Sequence, residues 1–315
     1  MTGKISRLFR SWVVVLFLGT VADGMGQDVL PTRLQEVSPT ACSDSLALRK
    51  GIKEKLSYTY SLPATFKQVS SNAICDPSCS LFPFWEKLRV MRRPVRVVHI
   101  GDSHVRGHVF PWVLRKHMER DFGCEAVYPD SVSYHTSGLA RETGKPGIVY
   151  HAIGINGATA TRFSNAMQIH EIAGLKPDLL ILSFGTNESH GGGYRVSEHE
   201  RQLDELVGML HQVCPDACFL FTTPPGSYVR YRRKRSVNTR TPLVAKTIFD
   251  YALEHGYAVW DLFRIAGGRE RACLNWVSGG CMTRDHIHYT RMGYIMQGNL
   301  LYDAMVKAYN DYVSD

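Results

Sequence analysis

No stretch of this 315-residue chain is of low complexity and no segment repeats, which excludes solenoid, propeller and tail-like architectures. No CxxC pair and no HExxH motif occurs, so the common zinc signatures are missing. The single leading apolar run, residues 12–22, is too short for a comfortable membrane span. What is there is a chain with 44% hydrophobic residues, enough to bury one substantial core, and a formal net charge of +8.

Lys4, Arg7 and Arg10 precede the apolar run, and small residues ending Gly24-Met25-Gly26 follow it. A basic start, a short apolar middle and small residues before a cut predict a secretory signal peptide over 1–26, with a periplasmic or extracellular product, and an uncleaved membrane anchor is the alternative. No cysteine directly follows that cut, which argues against a lipid anchor. Export permits disulfides among the eight cysteines. Cys75 and Cys79, Cys214 and Cys218, and Cys273 and Cys281 are near neighbours, while Cys42 and Cys124 stand apart; spacing alone does not settle connectivity. Residues 27–93, with prolines spread through them, read as an extended wrapping lead-in with helical patches at 45–56 and 82–91. Residues 94–315 read as the main domain.

That domain opens on a β-branched run, 95–100, which stops at Gly101-Asp102-Ser103-His104. The run predicts a strand, Gly101 a sharp turn, and residues 105–122 a helix. Ser103 then lies at the strand's carboxyl end beside a helix N-terminus, where unpaired N–H groups favour developing negative charge. Asp102 or Ser103 serving only as a helix cap is the competing reading. Further strands are expected at 148–153, 178–184, 217–222 and 257–262, and helices at 196–213, 241–255 and 291–313. The apolar runs are nearly continuous, as in strands covered on both faces. The expected fold is therefore a three-layer α/β/α sandwich around a mostly parallel five-stranded sheet, whose ligands bind at the carboxyl ends of the strands.

Three later segments each follow a strand or precede the last helix. Gly154-Ile155-Asn156-Gly157-Ala158-Thr159 is a glycine-rich turn that either exposes a backbone N–H, from Gly157, or merely reverses the chain. Gly185-Thr186-Asn187-Glu188 presents an asparagine amide that either donates to an oxyanion or supports a loop. In Asp285-His286-Ile287-His288 a carboxylate three residues before an imidazole folds back to hold one ring nitrogen, leaving the other to take a serine proton. A metal pair formed by His286 and His288 is the alternative there.

Together, GDSH, GINGAT, GTNE and DxxH resemble the four blocks of the SGNH hydrolase superfamily, the GDSL-like lipases and esterases, over about residue 95 to the C-terminus. The resemblance implies a flavodoxin-like fold with Ser103 as nucleophile and Asp285 and His288 completing a triad. Gly157 and Asn187 join the Ser103 backbone N–H as oxyanion donors, and neither metal nor cofactor is needed. Two positions depart from the usual blocks: His104 replaces a leucine and Glu188 an aspartate. GDSH with GINGAT is most similar to exported bacterial members that include peptidoglycan O-acetylesterases.

The resulting expectation is an exported serine esterase that removes acetyl groups from a glycan through an acyl-enzyme. An acetyltransferase using sugar hydroxyls and an inactive glycan-binding module are the rivals. No long apolar lid accompanies the motifs, which disfavours long-chain lipids. Arg230, Arg232, Arg233 and Arg235, in a basic stretch after the fourth strand, and His104 are candidate substrate contacts. With the positive net charge they point to an anionic glycan, the competing reading being a merely solvated loop. Neither nucleic acid nor lasting membrane insertion is expected.

Overall fold

The computed structural model describes residues 55–128, 138–232 and 234–314. Every described residue belongs to one compact unit. The expected signal peptide, Cys42, most of the 45–56 helix and Arg233 lie outside the described residues.

In chain order the elements are β1 (Ile74–Cys75), α1 (Phe82–Val90), β2 (Pro94–Gly101), α2 (Ser103–Arg106), α3 (Val109–Phe122), β3 (Gly147–Gly154), α4 (Ala166–Gly174), β4 (Leu179–Ser183), α5 (Thr186–His190), α6 (Val196–Val213), β5 (Cys218–Thr222), β6 (Tyr228–Tyr231), β7 (Lys234–Val237), α7 (Thr241–Glu254), β8 (Ala258–Trp260), α8 (Leu262–Ile265), α9 (Gly268–Ser278) and α10 (Arg291–Ser314). The main sheet has the order β1-β8-β5-β4-β2-β3. All neighbours are parallel except β1, which pairs antiparallel with β8. The sheet is thus six-stranded rather than five-stranded, because a two-residue strand closes one edge.

Continuous apolar strands feed two cores by simple alternation. In β4, Leu179 and Ile181 join the core under α1, α3, α8, α9 and α10, while Leu180 and Leu182 join the one under α4, α6 and α7. Successive side chains point to opposite faces, so a run such as Leu-Leu-Ile-Leu is what a strand with helices on both sides requires. One polar row crosses this apolar sheet. His99 lies 2.8 Å from the Tyr150 hydroxyl and 2.7 Å from Ser183 Oγ, which in turn accepts from Thr222 Oγ1 at 2.8 Å. Burial pushes His99 down to about 3, so it links β3, β2, β4 and β5 as a neutral ring.

The order of the five parallel strands reverses direction between β2 and β4, which places the crevice at their carboxyl ends. Close packing there demands glycine. A Cβ on Gly101 would stand 2.5 Å from the Ser183 carbonyl, and one on Gly154 would stand 2.1 Å from the Arg106 backbone nitrogen. Turn and helix α2 therefore lie directly on the strand ends and hold Ser103 at the crevice.

The expected single helix over 105–122 is two helices. His108 at φ 58° interrupts it, so α2 is one short turn and α3 starts afresh at Val109. The lead-in from residue 55 is pinned to α10: Leu56 exchanges backbone hydrogen bonds with the Asn310 amide, Tyr60 N donates to Asp303, and the Asn72 amide donates to Leu300 O and Asp303. None of the three near-neighbour cysteine pairs is bridged, since Cys75, Cys214, Cys218, Cys273 and Cys281 carry free thiols.

Candidate active site

Ser103 is the first residue of α2, and Asp102 is its cap, accepting from His104 N at 2.8 Å. Capping and a site role thus fall to adjacent residues rather than competing for one. The other half of the arrangement comes from the loop before α10. Asp285 Oδ1 accepts from Ile287 N, His288 N and Thr283 Oγ1 at 2.8, 3.0 and 2.7 Å, and its Oδ2 lies 2.7 Å from His288 Nδ1. Burial works to raise the Asp285 pKa, but the hydrogen bonds from His288, Ile287 and Thr283 outweigh it and hold the carboxyl below the usual range. An ionised Asp285 can only accept, so His288 Nδ1 carries the proton and its bare Nε2, 2.9 Å from Ser103 Oγ, accepts from the hydroxyl. His286, at φ 59°, sets its ring edge-on to that of Tyr228, with the centroids 5.0 Å apart.

Asn187 stands in α5 directly after β4, across the crevice from Ser103. Its amide donates to Ala158 O at 2.9 Å and more weakly to Asp102 Oδ2 at 3.3 Å. The first of these bonds draws in the turn that carries Gly157, which is exposed at φ 72°. Glu188 completes that junction: Oε2 accepts from Gly185 N at 2.9 Å and Oε1 from Ala160 N at 3.0 Å. A glutamate three residues after the cap, reaching back to the cap's N–H, is the glutamate half of a capping box, and glycine has no side chain to supply the other half. Burial raises the pKa of Glu188, and burial together with the Glu188 charge pushes Asp102 up to about 8. Burial thus favours the neutral form of Asp102, and a neutral carboxyl accepts from the Asn187 amide more weakly than a carboxylate does.

His104, the candidate substrate contact at the Ser103 turn, is a buried residue. Only 6% exposed, it sets Nδ1 2.9 Å from the Tyr294 hydroxyl and Nε2 3.1 Å from Thr186 Oγ1. Burial, with His288 adding, pushes it down to about 3, so a neutral ring lies 5.5 Å from that of His288. The residue ties the Ser103 turn, α5 and α10 into one floor. Nothing local in Gly-Asp-Ser-His announces this, because both partners are remote in sequence.

The basic stretch forms an antiparallel ribbon, β6–β7, in which Arg230, Arg232, Lys234 and Arg235 are exposed. Two contacts tie the base of this ribbon to the site. Tyr228 N donates to His286 O at 2.9 Å, and His190, next to the Asn187 turn, lies 2.9 Å from Ser227 Oγ. Burial lowers the pKa of His190, and the charges of Arg240 and His288 add to that effect. His190 and Asn238 are site neighbours that carry no sequence motif.

The profile of the GDSL-like lipase/acylhydrolase family matches residues 100–295, which contain all four blocks. Among solved structures, the chain resembles a peptidoglycan O-acetylesterase at 19% identity and a TM-score of 0.62, over 75% of this chain and 99% of that one. The acetyl xylan esterase AlAXEase matches at 15% identity and TM-score 0.48, over 67% and 99% of the two chains. Axe2, an acetylxylan esterase from Geobacillus stearothermophilus, matches at 16% identity and 0.46, over 67% and 94%. At these identities the likeness is one of fold. No curated protein matches the chain.

Proposed function

The chain belongs to the GDSL-like lipase/acylhydrolase family, and from that premise we propose that it is a serine esterase releasing acetyl groups from a glycan. The observation that carries the reading is the line Asp285–His288–Ser103, with its two contacts at 2.7 and 2.9 Å. As Ser103 Oγ attacks the ester carbonyl, His288 Nε2 takes the hydroxyl proton and Asp285 steadies the imidazolium. The carbonyl oxygen becomes an oxyanion facing the N–H groups of Ser103 and Gly157 and the Asn187 amide. His288 then gives its proton to the departing sugar oxygen, leaving acetyl-Ser103. Water attacks that ester with His288 again as base, and acetate leaves as Ser103 regains its proton.

Export belongs to the same reading and rests on the basic, apolar and small-residue pattern of residues 1–26. Acetate release from a small acetyl ester, then from acetylated peptidoglycan and acetylated xylan, tests the activity. Transfer of the acetyl group to added sugar acceptors in place of release would replace hydrolase by transferase, and no turnover on any acetyl ester would refute the proposal. Fractionation of cells expressing the full chain tests export.

A further inference from the structure

The ribbon β6–β7 reads Tyr-Val-Arg-Tyr-Arg-Arg-Lys-Arg-Ser-Val and holds no acidic residue. Its register sets Arg230 directly opposite Arg235. Neither forms an ion pair among the described residues. Like charges facing each other across a strand pair are destabilising, so this arrangement opposes the ribbon's own folding. An anion between the two guanidinium groups reverses that sign.

The base of the ribbon is fastened to both halves of the active site. On one side Tyr228 N donates to His286 O at 2.9 Å, two residues before His288. On the other, the Asn238 amide donates to Ser189 O at 3.1 Å and to Ser189 Oγ at 2.9 Å, while Asn238 N donates to Ser227 O at 2.9 Å. Arg240 Nη1 adds a bond to Gly191 O at 2.6 Å. Ser189 and Gly191 belong to α5 and the residue after it, two and four positions beyond Asn187. A strand rises about 3.3 Å per residue, so Arg230 sits roughly 7 Å along the ribbon from this anchored base.

We propose that β6–β7 is a substrate arm, in which Arg230 and Arg235 seat a carboxylate of a polyanionic glycan while the acetylated sugar enters at Ser103. Arginine rather than lysine at the paired positions fits this ligand, because the planar guanidinium fork matches the two oxygens of a carboxylate. The inference rests on the esterase reading of Ser103 and adds the class of its substrate.

The test compares acetylated polygalacturonate with acetylated neutral xylan for the wild-type chain, an Arg230→Gln/Arg235→Gln double variant and Arg235→Glu, each rate normalised to the same protein's turnover of a small uncharged acetyl ester. For wild type, kcat/KM favours the carboxylated polymer at about 50 mM salt and the preference fades toward about 500 mM as screening shortens. In the double Gln variant the ratio falls about tenfold, mostly through KM. Arg235→Glu pairs with Arg230 across the ribbon, so it keeps or raises Tm while lowering the ratio further, which separates lost recognition from lost folding. An unchanged ratio in both variants, or no wild-type preference at low salt, overturns the arm. A wild type that prefers a sulfated polymer overturns the carboxylate assignment. Failure to release acetate from any ester is instead a failure of the esterase reading.

Discussion

Replacing His104 by leucine, the residue that the family usually carries there, tests the floor of the site. The change removes two hydrogen bonds, at 2.9 Å to Tyr294 and 3.1 Å to Thr186, and strands both hydroxyls in positions 7% and 4% exposed. A buried hydrogen bond contributes about 1 kcal/mol net, and a stranded buried polar group costs about 1–3 kcal/mol. Leucine is close to imidazole in size, so no large cavity adds to this. The expected destabilisation is about 2–4 kcal/mol, or a Tm lowered by roughly 5–15 °C at about 2–4 °C per kcal/mol for a domain of this size. Thermal unfolding of both proteins at neutral pH measures it. His104→Gln, which can keep one of the bonds, falls between them. Because Thr186 adjoins Asn187, kcat for a small acetyl ester also drops while KM holds. A His104→Leu protein with wild-type Tm and kcat would refute the bracing role.

The remaining expectations concern the catalytic groups. Asp285→Asn removes the acceptor that fixes the His288 tautomer and lowers kcat by about a thousand- to ten-thousandfold with the fold retained; a loss below tenfold would contradict the role given to Asp285. Asn187→Ala lowers kcat roughly a hundred- to a thousandfold, and an unchanged kcat would remove it from the oxyanion site. Asp102 supplies the pH test. Its carboxyl, pushed up to about 8 by burial and Glu188, ionises at about 3.9 in the unfolded chain. Its contribution to stability is therefore complete below about pH 4 and is lost as pH rises through about 8. The Tm advantage of wild type over Asp102→Asn should shrink steadily across that window, and a constant difference would show that Asp102 is already ionised in the folded protein.

Features set by local pattern were legible in the sequence, and features set by remote partners were not. The parallel strands were readable because both faces of the sheet are covered, which forces unbroken apolar runs such as that of β4. Helix α6 occupies Val196–Val213, the bounds its apolar spacing implied, since Leu203, Leu206, Val207 and Leu210 make one stripe. Asp285 and His288 meet because three residues of loop suffice to bring them together. By contrast, β1 is two residues long and exists only through its register with Val259 and Trp260. The break at His108 is a non-glycine residue in the left-handed region, which composition does not mark. The bracing contacts of His104 are not legible, because its partners, Thr186 and Tyr294, are 82 and 190 residues away. Four arginines within six residues, 230–235, read as a loop because charge hid the short alternation Tyr-Val-Arg-Tyr that pairs as a ribbon.

The central claim is that Ser103, activated by His288, carries the acetyl group in mid-reaction. Turnover of an acetyl ester quenched in acid, followed by peptide mass spectrometry, tests this directly. The account predicts acetylation of the peptide containing Ser103 at that serine, with the adduct and the turnover both absent from Ser103→Ala of unchanged Tm. Acetyl found on another residue, or turnover persisting in folded Ser103→Ala, would contradict it.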